Sequence, residues 1–333
     1  MDIAQEEMQF LGILGICGQS FKLIFSHRKI FSQITLALIV PLSLIFLAHI
    51  QISNVLFSNI LNKANELDDT PREDDRYHRL HRSFSSQLVY FCLFKLAYFI
   101  ALLVFSLLST AAVVFTVATI YTAGELTFKK VMRVVPNVWK RLIITFLCTF
   151  LAFLLYNVVM ALILVLWYFT AAPTQAALPT LIIIAILYAC GFVYLTVVWQ
   201  LASVVSVLED SKGFKAMVKS KNLIKGKAWV AIAIFLMLIV CLIGIEAIFE
   251  LLVVHGGEFG VVGRVGFGAI CCLLMFKLVL FGLVVQTVIY FVCKSYHHES
   301  IDRSSLSTHL EVYLGDYVRL RAKDVQLERV NNV

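Results

Sequence analysis

Six stretches of this sequence, roughly 30–56, 88–123, 141–169, 180–207, 228–254 and 265–293, are apolar and long enough to cross a bilayer. A hydrocarbon core of about 30 Å takes about 20 apolar residues in a helix. Lipid offers the backbone no hydrogen-bond partner, so a lone spanning segment must be helical. Composition agrees: 60% of the 333 residues are hydrophobic and 15% are charged, against roughly 45–50% and 25% in a soluble domain. These proportions exclude a fold whose solvent is water, a disordered chain, a collagen-like rod and a secreted disulfide scaffold. The eight cysteines all lie in or beside apolar runs, with no C-x-x-C pair, so they read as small hydrophobes rather than a disulfide or metal framework. Asp2, Glu6 and Glu7 stand where a signal peptide carries basic residues. The second stretch exceeds one bilayer crossing, and Pro41 interrupts the first and is expected to kink it.

Charge between the spans sets the orientation. Segments 1–29, 124–141, 208–227 and the tail from 294 together hold twenty Lys and Arg, whereas 57–87, 170–179 and 255–264 hold six. The positive-inside rule then places both termini in the cytosol, a split that only an even number of spans allows. The expected organisation is a cytosolic 1–29 with an interfacial helix, a six-span membrane domain over 30–293, and a cytosolic tail over 294–333. Within the membrane domain, 57–87 is a non-cytosolic, solvated loop, with mixed charge around Pro71. It holds no spaced ligand set for a metal.

Three segments resemble one another: SFKLIFSHRKIFSQI from Ser20, TFKKVMRVVPNVWKRLI from Thr127 and GFKAMVKSKNLIKGKAWV from Gly213. Each sets Phe-Lys after a small residue and runs as a basic amphipathic stretch into a span. Phe21, Phe128 and Phe214 mark a threefold plan of interfacial helix, span, span. Ordinary basic loops made alike by the positive-inside rule are the alternative. In the second segment Phe128, Val131, Met132 and Val135 fall at helical spacing opposite Lys129, Lys130 and Arg133. Such a helix lies in the interface, apolar face in lipid and basic face toward anionic headgroups. Lys129, Lys130, Arg133, Lys215, Lys219, Lys225 and Lys227 are therefore the candidate headgroup ligands.

The stretch VVSVLEDSKGFKAMVKSKNLIKGKAW, Val204 to Trp229, resembles a signature found in the membrane domain of some bacterial glycerophosphodiester phosphodiesterases and in similar stand-alone bacterial membrane proteins. A span ends in an acidic residue, Glu209, followed by Gly213, Ala216, Ser220 to Leu223 and Gly226. The opening, MDIAQEEMQFLGILGI with FSQITLALIVPLSLIFLAHIQIS, is similar to a plant family of uncharacterised polytopic membrane proteins. The resemblance implies an all-helical membrane domain and no hydrolase. A phosphodiesterase barrel needs about 250 residues with metal carboxylates, for which six spans leave no room. Some plant relatives are named as partners of a polyadenylate-binding protein. The Leu-Asn-Pro-x-Ala peptide of such binding is absent, and Leu61-Asn62-Lys63-Ala64 falls in the non-cytosolic loop.

Four ionisable residues sit inside spans: Lys95, Glu246, Glu250 and Lys277. Intramembrane charge is costly and marks functional sites. Glu246 and Glu250 share a helix face, and all four lie at depths where they can meet in the non-cytosolic half with zero net charge. A structural salt-bridge cluster, an ion- or proton-coupled transport site and separate snorkelling side chains are the three readings. Asn157, Gln200 and Gln286 at membrane depth read as interhelical hydrogen bonders, His297-His298-Glu299 as a juxtamembrane turn, and Cys293 beside Lys294 as a palmitoylation candidate. Leu306, Leu310, Tyr313, Leu314 and Tyr317 recur at helical spacing, so 305–327 is expected to be an amphipathic helix that offers a surface to protein partners. Tyr317-Val318-Arg319-Leu320 also has the form of a sorting signal.

The expected molecule is all-α, a polytopic helical bundle of about six transmembrane helices with three interfacial amphipathic helices. Its expected role is non-enzymatic, at the lipid surface or as a scaffold in the endomembrane system or plasma membrane. It needs no cofactor, metal or nucleic acid, and its partner is the bilayer, chiefly anionic cytosolic-leaflet lipids. A small-solute or ion transporter built on the charged cluster is the alternative. In a cysteine-free background, single cysteines in 57–87 should react with an impermeant thiol reagent from the non-cytosolic face, and cysteines in 208–227 only after permeabilisation. Labelling of both regions from one side would contradict the six-span count.

Overall fold

The computed structural model describes residues 8–68, 75–122, 124, 126–170, 177–257 and 260–297. Among these residues every regular element is helical. Helix α1 is Ile13–Ser26 and α2 is Arg28–Leu67. The longest are α3, Asp75–Tyr121, and α4, Phe128–Thr170. Helix α5 is Ala177–Leu208, α6 is the short Phe214–Ile224, α7 is Ala228–Phe249 and α8 is Val261–Tyr296. Six of them, α2 to α5, α7 with the turn that follows it, and α8, are long and apolar enough to cross a membrane. That is the architecture of a multi-pass membrane protein.

The chain divides into two compact units. One consists of Met1–Leu23, Thr110–Ala233 and Val284–Val333, the other of Ile24–Ser109 and Ile234–Leu283. In the first, α3 over Ala111–Ala118, α5 over Val204–Leu208 and α8 over Val284–Cys293 are buried on nearly every side. Helices apolar all round sit inside rather than at a surface, and the small residues of the α3 stretch let backbones approach closely. Tyr121 and Phe291 close this core with ring centroids 4.5 Å apart. In the second unit Leu47, Phe249, Cys271 and Met275 form a buried cluster flanked by Phe46, Ile50, Leu242 and Val279.

Several expectations change. The 57–87 segment is largely helical rather than a loop, because α2 runs on to Leu67 and α3 begins at Asp75. The 47 residues of α3 rise about 70 Å at ~1.5 Å each, more than twice a bilayer core. Lys63 Nζ donates to Ser83 Oγ at 2.5 Å and ties these extensions together. The acidic stretch around Pro71 lies outside the described residues, as does the tail helix expected over 305–327. At Pro41 the chain forms a π-helical turn, Thr35–Ile39, immediately upstream. Pro41 has no N–H to donate one turn back, and the wider turn absorbs the missing bond.

The three basic segments are not three equivalent interfacial helices. The first is split between α1 and the start of α2, and the second is continuous with its span as the opening turns of α4. Only the third, α6, is a separate short helix after a span. In α4 the face made by Val131, Val134, Val135, Val138 and Leu142 is at most 2% exposed. It therefore packs in the protein instead of lying in lipid, while Lys129 and Arg133 stay exposed on the other side.

Two glycines carry positive φ, Gly213 at +61° and Gly226 at +90°, a region L side chains seldom adopt. They bracket α6, so they set where it begins and ends. A Cβ on Gly226 would also collide with the Tyr296 ring. Gly226→Ala should cost about 1–3 kcal/mol of strain, read as a lowered unfolding midpoint of the detergent-solubilised protein. An unchanged midpoint would show that the left-handed turn is dispensable.

Candidate functional site

Helix α6 is strapped to the first unit at both ends. At its start the Gly213 N–H donates to Thr145 Oγ1 at 2.8 Å, and Thr145 Oγ1 lies 2.7 Å from Ser206 Oγ. Midway, Ser220 Oγ donates to the Val198 carbonyl at 2.7 Å. At its end His297 Nε2 lies 3.1 Å from the Leu223 carbonyl and 3.0 Å from that of Lys225. Those carbonyls belong to the last turn, where a helix has no internal donors left. Ala216, Met217, Ser220, Leu223 and Ile224 are buried, a spacing of three and four that presents one face to the bundle.

Glu209 is the electrostatic centre of this arrangement. It follows α5, and its side chain is 11% exposed. Lys219 Nζ, from α6, stands 2.6 Å from Oε2. From α8, the Tyr290 hydroxyl donates to Oε1 at 2.6 Å and Lys294 Nζ does so at 3.3 Å. Arg141 of α4 donates to the Glu209 carbonyl and to Asp210 Oδ1, each at 3.1 Å. Burial alone would raise the Glu209 carboxyl. The Lys219 and Tyr290 contacts and the charges of Lys294 and Lys219 outweigh it and hold the group below its ordinary value. One carboxylate thus joins the end of α5, the middle of α6 and the end of α8.

The predicted headgroup ligands divide accordingly. Lys219 is held by Glu209, and Lys227 Nζ lies 5.7 Å from the Tyr296 ring centroid. Lys215 and Lys225 are exposed, as are Lys212 and Lys221. Phe214, Val218 and, at the start of α7, Trp229 are also exposed, at 67%, 47% and 84%. Cys293 is fully buried, so the palmitoylation candidate is closed. His297 is committed to α6, while His298 and Glu299 lie outside the described residues.

The second unit holds the intramembrane charges. Lys95 is half-buried with Nζ 2.8 Å from His49 Nε2. Glu246 is half-buried, Glu250 is exposed at the start of the π-helical turn Glu250–Val254, and Lys277 is exposed. Among the described residues no ion pair joins any two of these four. Lys95 instead meets His49, an ionisable residue at membrane depth that the same criterion of cost would have singled out. Of the polar residues, Asn157 bridges α4 and α5 by accepting from Tyr188 Oη at 3.0 Å. Gln286 is buried.

A family model described as Domain of unknown function (DUF8558) matches residues 1–330. The chain belongs to that family. No curated protein and no solved structure matches it. What marks this DUF8558 member chemically is the segment from Glu209 to Gly226, whose Glu, Gly, Ala, Ser and Leu positions each meet a specific structural demand.

Because its carboxyl is held below the ordinary value of 4.5, Glu209 contributes stability that is complete above that value and lost as pH falls through the folded one. A buried pair broken on one side loses about 3–5 kcal/mol. Lys219, at 37% exposure, can rehydrate, so Glu209→Gln should cost about 1–3 kcal/mol at neutral pH. Melting curves should show the gap between wild type and Glu209→Gln closing as pH drops below about 4.5. A gap independent of pH would mean that the carboxylate charge is irrelevant.

Proposed function

We propose that this protein is a non-enzymatic multi-pass membrane protein that acts at the lipid surface, binding anionic headgroups of the cytosolic leaflet through the outer face of α6. The observation that carries this reading is the sorting of the lysines. Lys219 and Lys294 are spent on Glu209, whereas Lys212, Lys215, Lys221 and Lys225 point outward beside Phe214, Val218 and Trp229. Each Lys near an anionic leaflet contributes about 1 kcal/mol, so four are worth roughly a thousandfold in binding. Lys129 and Arg133, exposed on α4, add to the same basic surface. The tail over 294–333 supplies a route to protein partners in an endomembrane or at the plasma membrane, which makes a scaffold at an anionic membrane the fullest form of the proposal.

The test uses full-length protein purified with its lipids and reconstituted in nanodiscs of mixed neutral and anionic composition. Replacing Lys212, Lys215, Lys221 and Lys225 together by Gln should lower anionic-lipid enrichment at least tenfold with little change in melting temperature. Lys219→Gln should do the reverse, lowering the melting temperature while enrichment persists. Equal enrichment in wild type and the fourfold variant would reject headgroup binding by α6.

A further inference from the structure

We infer that the α4–α5 hairpin is a dimerisation surface, and that its occupant is the same hairpin of a second copy of this chain, joined within the membrane through Asn157. Over most of its length this hairpin has little of the bundle around it. Of the apolar stretch that makes α4 able to span, 6% is buried, and of that in α5 11%, against 56% in α3. The seam between the two helices is fastened by groups that Asn157 does not supply. Tyr156 Oη donates to the Tyr188 carbonyl at 2.8 Å, and Trp167 Nε1 donates to Thr180 Oγ1 at 2.9 Å. The Tyr156 ring lies so close to Gly191 that a Cβ there would displace it. Asn157 stands at the edge of this seam and is exposed. It lies sixteen residues beyond Arg141 and thirteen before the end of α4 at Thr170, about 24 Å and about 20 Å along the helix, and so near the middle of a span.

Lipid covers an apolar helix face well, but it cannot hydrogen-bond a carboxamide. An amide side chain has two N–H donors and an oxygen with two lone pairs. In Asn157 one N–H goes to the Phe153 carbonyl at 2.8 Å, and one lone pair accepts from Tyr188 Oη at 3.0 Å. One donor and one acceptor are left without a partner among the described residues. A second amide in the same position supplies both. Membrane geometry favours that match. Two copies inserted in the same orientation are related by a two-fold axis along the bilayer normal, which keeps every residue at its own depth. Asn157 at that axis meets Asn157 of the second copy, and the N–H of each donates to Oδ1 of the other. The residues around it permit the approach. Ala161, one turn further along α4, is exposed, as are Ala185 and Ala189, one turn apart on α5 and before and after Tyr188. Small residues at such spacing let helix backbones come close, and polar side chains then bond across the interface. Alanines alone would suit lipid equally well. The exposed amide among them calls for a protein partner that carries its complement.

The experiment mixes donor- and acceptor-labelled full-length protein in neutral phosphatidylcholine vesicles and follows energy transfer as lipid is added. Wild-type transfer should fall along a monomer–dimer dilution curve. Ala161→Leu is the deciding variant, because the side chain is exposed and its added bulk burdens only an interface. It should melt like wild type and shift the dilution midpoint at least tenfold toward monomer, and Asn157→Leu should shift it likewise. Tyr188→Phe, which removes a bond inside the hairpin and keeps the amide, should dimerise like wild type. In a cysteine-free background Ala161→Cys should form an intermolecular disulfide under mild oxidation. Leu155→Cys, exposed on the opposite side of α4, should not. Replacing the four outer lysines of α6 should leave dimerisation intact, which separates this surface from the lipid-surface reading. Wild-type transfer no greater than random crowding produces, an unshifted midpoint in Ala161→Leu or Asn157→Leu, or equal cross-linking through Leu155→Cys would overturn the proposal.

Discussion

A carboxylate withdrawn from water at the end of a spanning helix must find donors, and the donors available to Glu209 come from elements far apart in the chain. Lys219 reaches it from α6, and Tyr290 and Lys294 from α8. Satisfying that one charge brings the end of α5, the short α6 and the end of α8 to a common point. Coulomb attraction alone would not suffice, because desolvating ions costs about what the pairing returns. The three contacts together, with a tyrosine hydroxyl among them, keep the group ionised. The remaining fixtures of α6 become sensible once it is held there. Gly213 and Gly226 make the reversals, Ser220 ties the middle and His297 closes the end.

Pinning α6 by one face has a consequence for the other. A helix of eleven residues has little stability of its own in water, and here the bundle supplies it through Ala216, Met217, Leu223 and Ile224. Lys215 and Lys221 and the exposed Phe214 and Val218 are then displayed on a fixed element. Pre-organised charge and apolar surface bind a membrane without the ordering cost a free segment would incur. The opening turns of α4 show the contrast. They carry a similar pattern, but their valine face is consumed by the protein core, and the basic residues are what remains on the outside.

The polar chemistry of the second unit follows a different rule. Glu209 is met by opposite charges, whereas Lys95 is met by the imidazole of His49. A carboxylate–ammonium pair settles into one protonation state across the ordinary pH range.

Length and hydropathy in the sequence were enough for the six spanning helices and the all-α class, because a lipid-exposed backbone has no alternative to helix and each span declares itself locally. The positions from Glu209 to Gly226 were also visible as a pattern, although their meaning was not. Which lysine binds a carboxylate and which faces outward depends on side chains eighty residues away, as with Glu209 and Lys294, and no local spacing encodes that distance. For the same reason residue counts place Lys95, Glu246, Glu250 and Lys277 at similar depths without saying which of them meet, and Lys95 meets His49. Depth in a span follows from counting residues along one helix. Rotation about that helix, which decides whom a side chain meets, is set by packing against the others, and only the tertiary structure contains it.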